Sequence, residues 1–285
     1  MQKIWVCGAR GQIGQAVNDV VDKLEFEMLD TDVDDLDVTD TDEVLRFGEM
    51  NRPDIIINCS DMTDISSCEE NPSQAFKVNA LGARNLAIVA AKMQAKMVQL
   101  STDDVFDGKS TEPYTEFDIT NPGTVYGKSK LAGENYVKEF TTKHFIVRST
   151  WVYGKGQNFI NGFLKKVDAG EQLSIASDQF GSPTSANELA RFLLHLVHTS
   201  EYGTYHATNK GVCSRYAFAQ EILKMTGKTA SMQPVPTVMS DFSKVRPAYA
   251  VLDNFIMSMV PIYDFPDWQD SLREYLEERG LYHAE

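Results

Sequence analysis

Short apolar runs alternate with helical patterns through the first half of the chain, and this alternation limits the possible folds more than any other feature. The apolar runs predict buried strands at 4–6, 26–29, 55–58, 97–100 and 145–148. The patterns between them predict helices at 13–23, 41–50, 72–93 and 129–140. Repeated strand–helix units of this kind predict an α/β fold, a Rossmann-like doubly wound parallel sheet that binds ligands at the carboxyl ends of its strands.

The second half of the chain follows a looser pattern, with helices predicted at 188–199, 214–225 and 267–279. We therefore expect the Rossmann domain over residues 1–150. Residues 151–285 are expected to form a smaller, mostly helical C-terminal lobe that binds substrate, with some segments returning to the Rossmann core.

The 285-residue chain carries a formal net charge of −14, which argues against binding to nucleic acid or to an anionic membrane because like charges repel. No stretch resembles a transmembrane helix, and Gly8 breaks the N-terminal apolar run too early for a signal peptide. We expect a cytoplasmic protein. Its four cysteines lack C-x-x-C or zinc-ligand spacing, so we expect reduced thiols and no metal site.

A glycine-rich loop, G-A-R-G-Q-I-G at 8–14, follows the first strand directly and opens a helix. Glycines allow the tight turn and the close approach of backbone N–H groups to a pyrophosphate, which the helix N-terminus also attracts. The cofactor-binding candidates in this loop are Gly8, Gly11, Gln12, Ile13 and Gly14. The domain over 1–150 is therefore predicted to bind NAD(P), and the G-x-x-G spacing is typical of extended short-chain dehydrogenases.

Asp30 is predicted to stand at the end of the second strand. An acid there suits the ribose hydroxyls of NAD and opposes the additional phosphate of NADP. Arg10 is the only nearby cation that could bind that phosphate. We expect NADH or NADPH as cofactor, with NADH used at least as well.

Tyr126 and Lys130 form a Y-x-x-x-K motif, and their i, i+4 spacing places both side chains on one helix face. A neighbouring ammonium stabilises a phenolate, so this pair suits acid–base catalysis. Thr102 follows the fourth strand, where a hydroxyl can donate a hydrogen bond to a carbonyl oxygen that gains negative charge. The glycine loop, the strand-end hydroxyl and the Tyr/Lys pair occur in the order a short-chain dehydrogenase needs.

Several longer motifs narrow the prediction. They are S-T-D at 101–103 with V-F-D-G at 105–108, Y-G-K-S-K-L-A-G-E at 126–134, R-S-T-W-V-Y-G at 148–154 and D-Q-F-G-S-P-T at 178–184. With these motifs the chain resembles the dTDP-4-dehydrorhamnose reductases over nearly its whole length. The resemblance implies reduction by NAD(P)H of the C4 ketone of dTDP-4-dehydro-L-rhamnose, a nucleotide-sugar step in cell-surface polysaccharide biosynthesis.

The resemblance also implies roles for individual residues. Tyr126 would donate the proton. Lys130 would tune the acidity of the Tyr126 phenol and bind the cofactor ribose, so both residues would also contact the cofactor. The further cofactor contacts implied are Asp37, Val38, Ser60, Asp61 and Met62. The implied substrate contacts are Thr63, Thr102, Asp103, Trp151 and Arg246.

Three departures from the family pattern bear on the site. Ser60-Asp61-Met62 replaces a small-small-aromatic run, Ser66-Ser67 replaces an Asp-Lys pair, and Asp104 replaces a tyrosine. We interpret Asp104 as pointing into solvent. Some family members bridge subunits through magnesium with a glutamate on the first helix, and Ala16 at that position predicts no such metal.

Two alternatives remain open. One is a reductase or epimerase of another nucleotide-4-ketosugar. The other is a non-catalytic regulatory subunit on the same fold, against which the presence of Thr102, Tyr126 and Lys130 argues. The expected partner is a nucleotide-sugar substrate, with no nucleic acid and no membrane, and the protein is expected to be a monomer or a homodimer.

Overall fold

The computed structural model describes residues 1–239 and 247–283, and the predicted site residue Arg246 lies outside them. The strands, in chain order, are β1 (Gln2–Cys7), β2 (Phe26–Thr31), β3 (Ile55–Asn58), β4 (Lys96–Thr102), β5 (His144–Ser149), β6 (Val152–Tyr153), β7 (Leu173–Ala176), β8 (Phe180–Gly181), β9 (Thr184–Ser185), β10 (Gly203–His206), β11 (Cys213–Ser214), β12 (Met232–Val235) and β13 (Tyr249–Ala250). The α-helices are α1 (Gln12–Val20), α2 (Thr41–Asn51), α3 (Ile65–Glu70), α4 (Pro72–Phe76), α5 (Ala83–Met93), α6 (Val125–Phe140), α7 (Phe159–Asp168), α8 (Ala186–His198), α9 (Arg215–Thr226), α10 (Phe255–Met259) and α11 (Trp268–Glu278).

A parallel sheet of six strands, in the order β10-β5-β4-β3-β1-β2, forms the centre of the molecule. All five predicted strands are confirmed, and four of them are longer than predicted. The sixth strand, β10, comes from the second half of the chain and pairs with β5. The strand order changes direction between β1 and β3, so the sheet has its ligand-binding crevice at the carboxyl ends of these two strands.

Side chains of the central strands are buried on both faces of the sheet, which explains why the sequence reads as continuous apolar runs. Ile4 and Val6 of β1 pack with α1 and α8 on one face. Trp5 and Cys7 of the same strand pack with α2 and α5 on the other. Both helical layers therefore cover the sheet, as the Rossmann-like prediction requires, and the α/β fold class is confirmed.

Two predicted helices differ from expectation in ways that affect the site. The pattern at 72–93 corresponds to α4 and α5 joined by a π-helical segment, Lys77–Gly82. Helix α6 begins at Val125, ahead of the predicted start at 129. The Thr124 hydroxyl accepts a hydrogen bond from the Gly127 N–H at 3.0 Å and so caps the N-terminus of the helix at this earlier position. The helix therefore includes both members of the Y-x-x-x-K motif.

The smaller C-terminal lobe is mostly helical, with α7, α9 and α11 around a separate apolar core. It also contains three small sheets, which the sequence pattern did not predict: β6 with β9, β7 with β12, and β8 with β11 and β13. None of the helices in the described part of the chain has the length and apolarity needed to span a membrane.

Candidate active site

A cavity of about 900 Å³ is lined by residues from the carboxyl ends of the central strands and from the C-terminal lobe. Most of the predicted site residues meet on its wall: Gly8, Gly11, Gln12, Ile13, Asp37, Val38, Ser60, Asp61, Met62, Thr63, Thr102, Asp103, Tyr126 and Trp151. Gly14 and Lys130 are buried behind this wall. The structure thus brings the predicted cofactor, catalytic and sugar contacts into one space.

The glycine loop needs glycine at its first and last positions. Gly8 has a φ of +74°, and a Cβ there would lie 2.7 Å from the Cys59 carbonyl carbon and the Ser60 nitrogen. At Gly14 a Cβ would lie 2.4 Å from the Gly8 carbonyl oxygen. Helix α1 starts from Gly11 with no side-chain cap, so its first N–H groups are available to a pyrophosphate. This cradle fits a dinucleotide cofactor.

The acid that lines the cavity at the end of β2 is Asp32 rather than Asp30, which differs from the sequence prediction. Strand β2 runs on to Thr31, which pairs with Cys7 of β1, so the chain leaves the sheet two residues later than expected. Asp30 is consequently exposed and does not line the cavity, whereas Asp32 does. The Asp32 carboxylate accepts the backbone N–H of Arg10 at 2.9 Å.

The Arg10 side chain is surrounded by acids. Its Nε lies 3.8 Å from Asp32, its Nη1 3.1 Å from Asp34 and its Nη2 3.0 Å from Asp35. A 2′-phosphate would compete with these three carboxylates for the guanidinium. The loop after β2 therefore offers more negative than positive charge at its end of the cavity.

Tyr126 and Lys130 lie one turn apart on α6, and both are buried. The Tyr126 side chain reaches the cavity wall. The Lys130 ammonium donates a hydrogen bond to the Asp61 carboxylate at 2.9 Å. Asp61 is one of the departures from the family pattern, so in this chain the lysine of the motif has an acidic partner that also faces the cavity.

Asn79, which the sequence analysis did not assign to the site, fixes α6 to the loop after β3. Its amide nitrogen donates to the Ser129 hydroxyl at 2.9 Å and to the Met62 carbonyl at 3.1 Å, and its amide oxygen accepts the Met62 N–H at 2.8 Å. The Ser129 hydroxyl donates to the Tyr126 carbonyl at 2.8 Å. These bonds set the position of Tyr126 relative to the loop after β3. The V-N-A sequence at 78–80 is the signal in the sequence that could have identified Asn79.

Thr102 ends β4, and its hydroxyl lies 3.1 Å from an Asp103 carboxylate oxygen and 3.3 Å from an Asp104 carboxylate oxygen. Asp104 is only 1% exposed, so the interpretation that it points into solvent is wrong. Residues Asp103–Val105 form a 3-10 turn, and the N-terminus of α6 packs so closely on it that a Cβ at Gly127 would lie 2.0 Å from the Asp104 carbonyl oxygen. This packing buries the Asp104 side chain.

A buried ion pair connects α6 to the central sheet next to the catalytic residues. Arg148 of β5 donates to both carboxylate oxygens of Glu134, at 2.8 and 2.7 Å. The Ser101 hydroxyl donates to the same carboxylate at 2.6 Å. Burial alone would raise the pKa of Glu134, but its hydrogen bonds and the charge of Arg148 hold that pKa below its usual range.

The lobe side of the cavity is aromatic. Trp151 has a φ of +48°, an uncommon conformation for a residue other than glycine. A Cβ at Gly181 would lie 2.6 Å from the indole, so only a glycine at this position of the D-Q-F-G motif leaves room for the Trp151 ring. The guanidinium carbon of Arg215 lies 3.4 Å from the centroid of the Trp151 ring, and Arg215 also lines the cavity. No sequence motif pointed to Arg215.

The described residues contain no group of three or more His, Cys, Asp or Glu side chains that could hold a metal ion. Ala16, where some relatives would have a metal-bridging glutamate, is buried in the core between α1 and α8. The four cysteines are free thiols.

Comparison with known proteins agrees with this geometry. Residues 1–280 match the family described as the RmlD substrate binding domain. The spore coat polysaccharide biosynthesis protein SpsK of Bacillus subtilis (strain 168) is 35% identical over 281 residues, covering 98% of this chain and 99% of that protein. A dTDP-4-dehydrorhamnose reductase from Clostridium acetobutylicum has a crystal structure that superposes with a TM-score of 0.95 at 40% identity, covering 98% of this chain and 100% of that one.

The dTDP-4-dehydrorhamnose reductase of Bacillus anthracis, whose crystal structure is a complex with NADP, superposes with a TM-score of 0.93 at 35% identity. That match covers 98% of this chain and 99% of the other. Both the sequence match and the structural matches extend over almost the full length of the chain. The chain therefore belongs to the RmlD substrate binding domain family, as the resemblance to dTDP-4-dehydrorhamnose reductases predicted.

Proposed function

We propose that the protein is an NAD(P)H-dependent oxidoreductase that reduces the C4 ketone of dTDP-4-dehydro-L-rhamnose to give dTDP-L-rhamnose for polysaccharide biosynthesis. The observation that carries this proposal is the cavity itself. Its wall combines the glycine loop, the Thr102 hydroxyl, the Tyr126 phenol and Trp151. These are the groups needed to bind a dinucleotide, polarise a carbonyl, supply a proton and contact a sugar.

The chain's own residues divide the reaction between them. Gly8, Gly11 and the N-terminus of α1 bind the cofactor pyrophosphate. When bound, NAD(P)H would supply the hydride that reduces the ketone carbon. The Tyr126 hydroxyl donates its proton to the ketone oxygen, and the Thr102 hydroxyl donates a hydrogen bond to the same oxygen as it gains charge. The positive charge of Lys130 stabilises the Tyr126 phenolate that remains after proton transfer, and the same ammonium binds the cofactor ribose.

The direct test is turnover with a panel of nucleotide-4-ketosugars that differ in base and in sugar, followed by NADH or NADPH oxidation. We expect the highest kcat/KM for dTDP-4-dehydro-L-rhamnose, with dTDP-L-rhamnose identified as the product. Turnover of a different nucleotide-ketosugar with none of this one would replace the substrate. No turnover of any member, together with intact cofactor binding, would favour the regulatory alternative.

The charge around Arg10 predicts the cofactor preference. We expect kcat/KM for NADH to be at least equal to that for NADPH, because Asp32, Asp34 and Asp35 compete for the guanidinium and repel a 2′-phosphate. Steady-state kinetics with both cofactors at saturating substrate would measure this. A preference of about tenfold for NADPH, or ~1.4 kcal/mol, would show that Arg10 binds the phosphate in spite of these acids.

Another nucleotide-4-ketosugar is the alternative substrate that the site favours most, because the carboxylate of Asp61, a departure from the family pattern, faces the cavity next to Lys130. The cytoplasm is the compartment we propose, since free thiols persist there. We propose a monomer or a homodimer, which light scattering of the purified protein would decide.

A further inference from the structure

Arg215 is the only arginine or lysine among the described residues that line the cavity. The same wall carries four carboxylates, those of Asp32, Asp37, Asp61 and Asp103. A nucleotide-sugar brings a diphosphate into this space in addition to the pyrophosphate of the cofactor. An acid-lined cavity repels such a ligand unless a positive group lies next to it.

The position of Arg215 separates it from the cofactor pyrophosphate. It is the first residue of α9, in the C-terminal lobe, and it packs on Trp151 and Phe159 of that lobe. The glycine loop lies at the carboxyl end of β1 in the central sheet, and α1 supplies the N–H groups there. Arg215 is therefore on the substrate side of the cavity.

The contact with Trp151 prepares the guanidinium to bind an anion. Its central carbon lies 3.4 Å from the Trp151 ring centroid and 4.8 Å from that of Phe159. A guanidinium that contacts aromatic faces is restricted in its rotamers, so its permanent positive charge has a fixed position beside the cavity, and its planar shape suits phosphate recognition. Trp151 and Arg215 are both half-buried in the cavity wall. The local dielectric there is lower than in bulk water, which strengthens attraction to a phosphate.

We propose that Arg215 binds the diphosphate of the nucleotide-sugar substrate and so determines the affinity for nucleoside diphosphates over nucleosides. This inference rests on the proposed function for the identity of the ligand. It assigns to Arg215 a role that differs from the catalytic one of Tyr126, because the diphosphate is remote from the reduced carbonyl group along the substrate.

The test compares binding of dTDP with binding of thymidine, which has the same base and sugar but no phosphate. Dissociation constants are measured by calorimetry for the wild-type chain and for Arg215→Met in the presence of NADH. We expect Arg215→Met to weaken dTDP binding by about 10- to 100-fold and to leave thymidine binding nearly unchanged. Arg215→Lys keeps the charge without the planar guanidinium, so an intermediate loss is expected.

Arg273→Met is the matched control, since it removes an arginine of the same lobe that pairs with Asp270 on the surface of α11. It should leave both dissociation constants unchanged. The dissociation constant of NADH should be the same in all variants, which verifies that the fold and the cofactor end of the cavity are intact.

Equal weakening of dTDP and thymidine by Arg215→Met would overturn the inference, because it would mean that Arg215 only supports the Trp151 ring. Unchanged binding of both would overturn it as well. In either case turnover of dTDP-4-dehydro-L-rhamnose by the wild type would leave the proposed function standing. Failure of the wild type to bind any nucleoside diphosphate would instead reject the proposed function together with the inference.

Discussion

Replacing Tyr126 with phenylalanine is expected to lower kcat by about 100-fold or more, the usual range for loss of a general acid. Phenylalanine keeps the ring that packs at the start of α6 and removes only the hydroxyl that we propose as the proton donor to the ketone oxygen. The dissociation constant of NADH should change little. Single-turnover and steady-state kinetics, with NADH binding followed by fluorescence, would measure both quantities.

Tyr136→Phe is the matched control for this variant. Tyr136 is on the same helix, is half-buried near Phe140 and does not line the cavity. The Tyr136→Phe variant loses a phenolic hydroxyl of the same kind, so its kcat should stay at the wild-type value. A Tyr126→Phe variant with a near wild-type rate would remove Tyr126 from the mechanism and require another proton donor on the cavity wall.

Replacing Arg148 with methionine is expected to lower the free energy of unfolding by about 3–5 kcal/mol. The change leaves the Glu134 carboxylate buried, with 0% exposure and without its two charged hydrogen bonds. Urea unfolding of the wild type and the variant would measure the loss. The double variant Glu134→Met with Arg148→Met should recover part of it, because no buried charge is then left without a partner.

Lys138→Met is the control for charge removal on the same carboxylate. Its ammonium lies 3.6 Å from Glu134 at the i, i+4 position and is 40% exposed, so its loss should cost less than about 1 kcal/mol. A cost for Arg148→Met as small as that of Lys138→Met would show that the buried pair contributes little to stability.

The two variants should also differ in their dependence on pH. In the wild type the pKa of Glu134 is lower in the folded than in the unfolded state, so the pair stabilises the fold above the unfolded value of about 4.3 and loses this effect as pH falls. Without Arg148, burial raises that pKa in the folded state, and the neutral acid is favoured. The stability difference between wild type and Arg148→Met should therefore be larger at about pH 8 than at about pH 5.

The fold could be predicted in large part because buried parallel strands leave continuous apolar runs. Strand β10, with the sequence G-T-Y-H, has no such run, since it is short and lies at the edge of the sheet. The small sheets of the lobe have strands as short as two residues, for which no periodicity exists. The local pattern therefore predicts every strand of the central sheet except the one at the β10 edge.

The site could be predicted where a motif ties side chains to local geometry, as in the glycine loop and the Tyr126/Lys130 pair. The sequence predicts Asp30 rather than Asp32 at the end of β2, because the extent of that strand depends on pairing with β1, which the local sequence does not contain. The burial of Asp104 depends on the packing of α6 against its turn. The position of Arg215 depends on how α9 packs against Trp151. All three follow from contacts between distant segments.

The chain crosses back into the central sheet after it has formed the first part of the C-terminal lobe. Helix α8 packs against α1, and β10 completes the sheet beside β5. A fragment that ends near residue 150 would expose the apolar face of α1 and leave β5 as an open, apolar edge, which is the usual starting point for aggregation. A single exchange of halves near residue 150 with a relative would therefore separate the sheet from α8 and β10, which complete it. A chimera that is meant to change only the lobe has to keep α8, β10 and α10 together with residues 1–150.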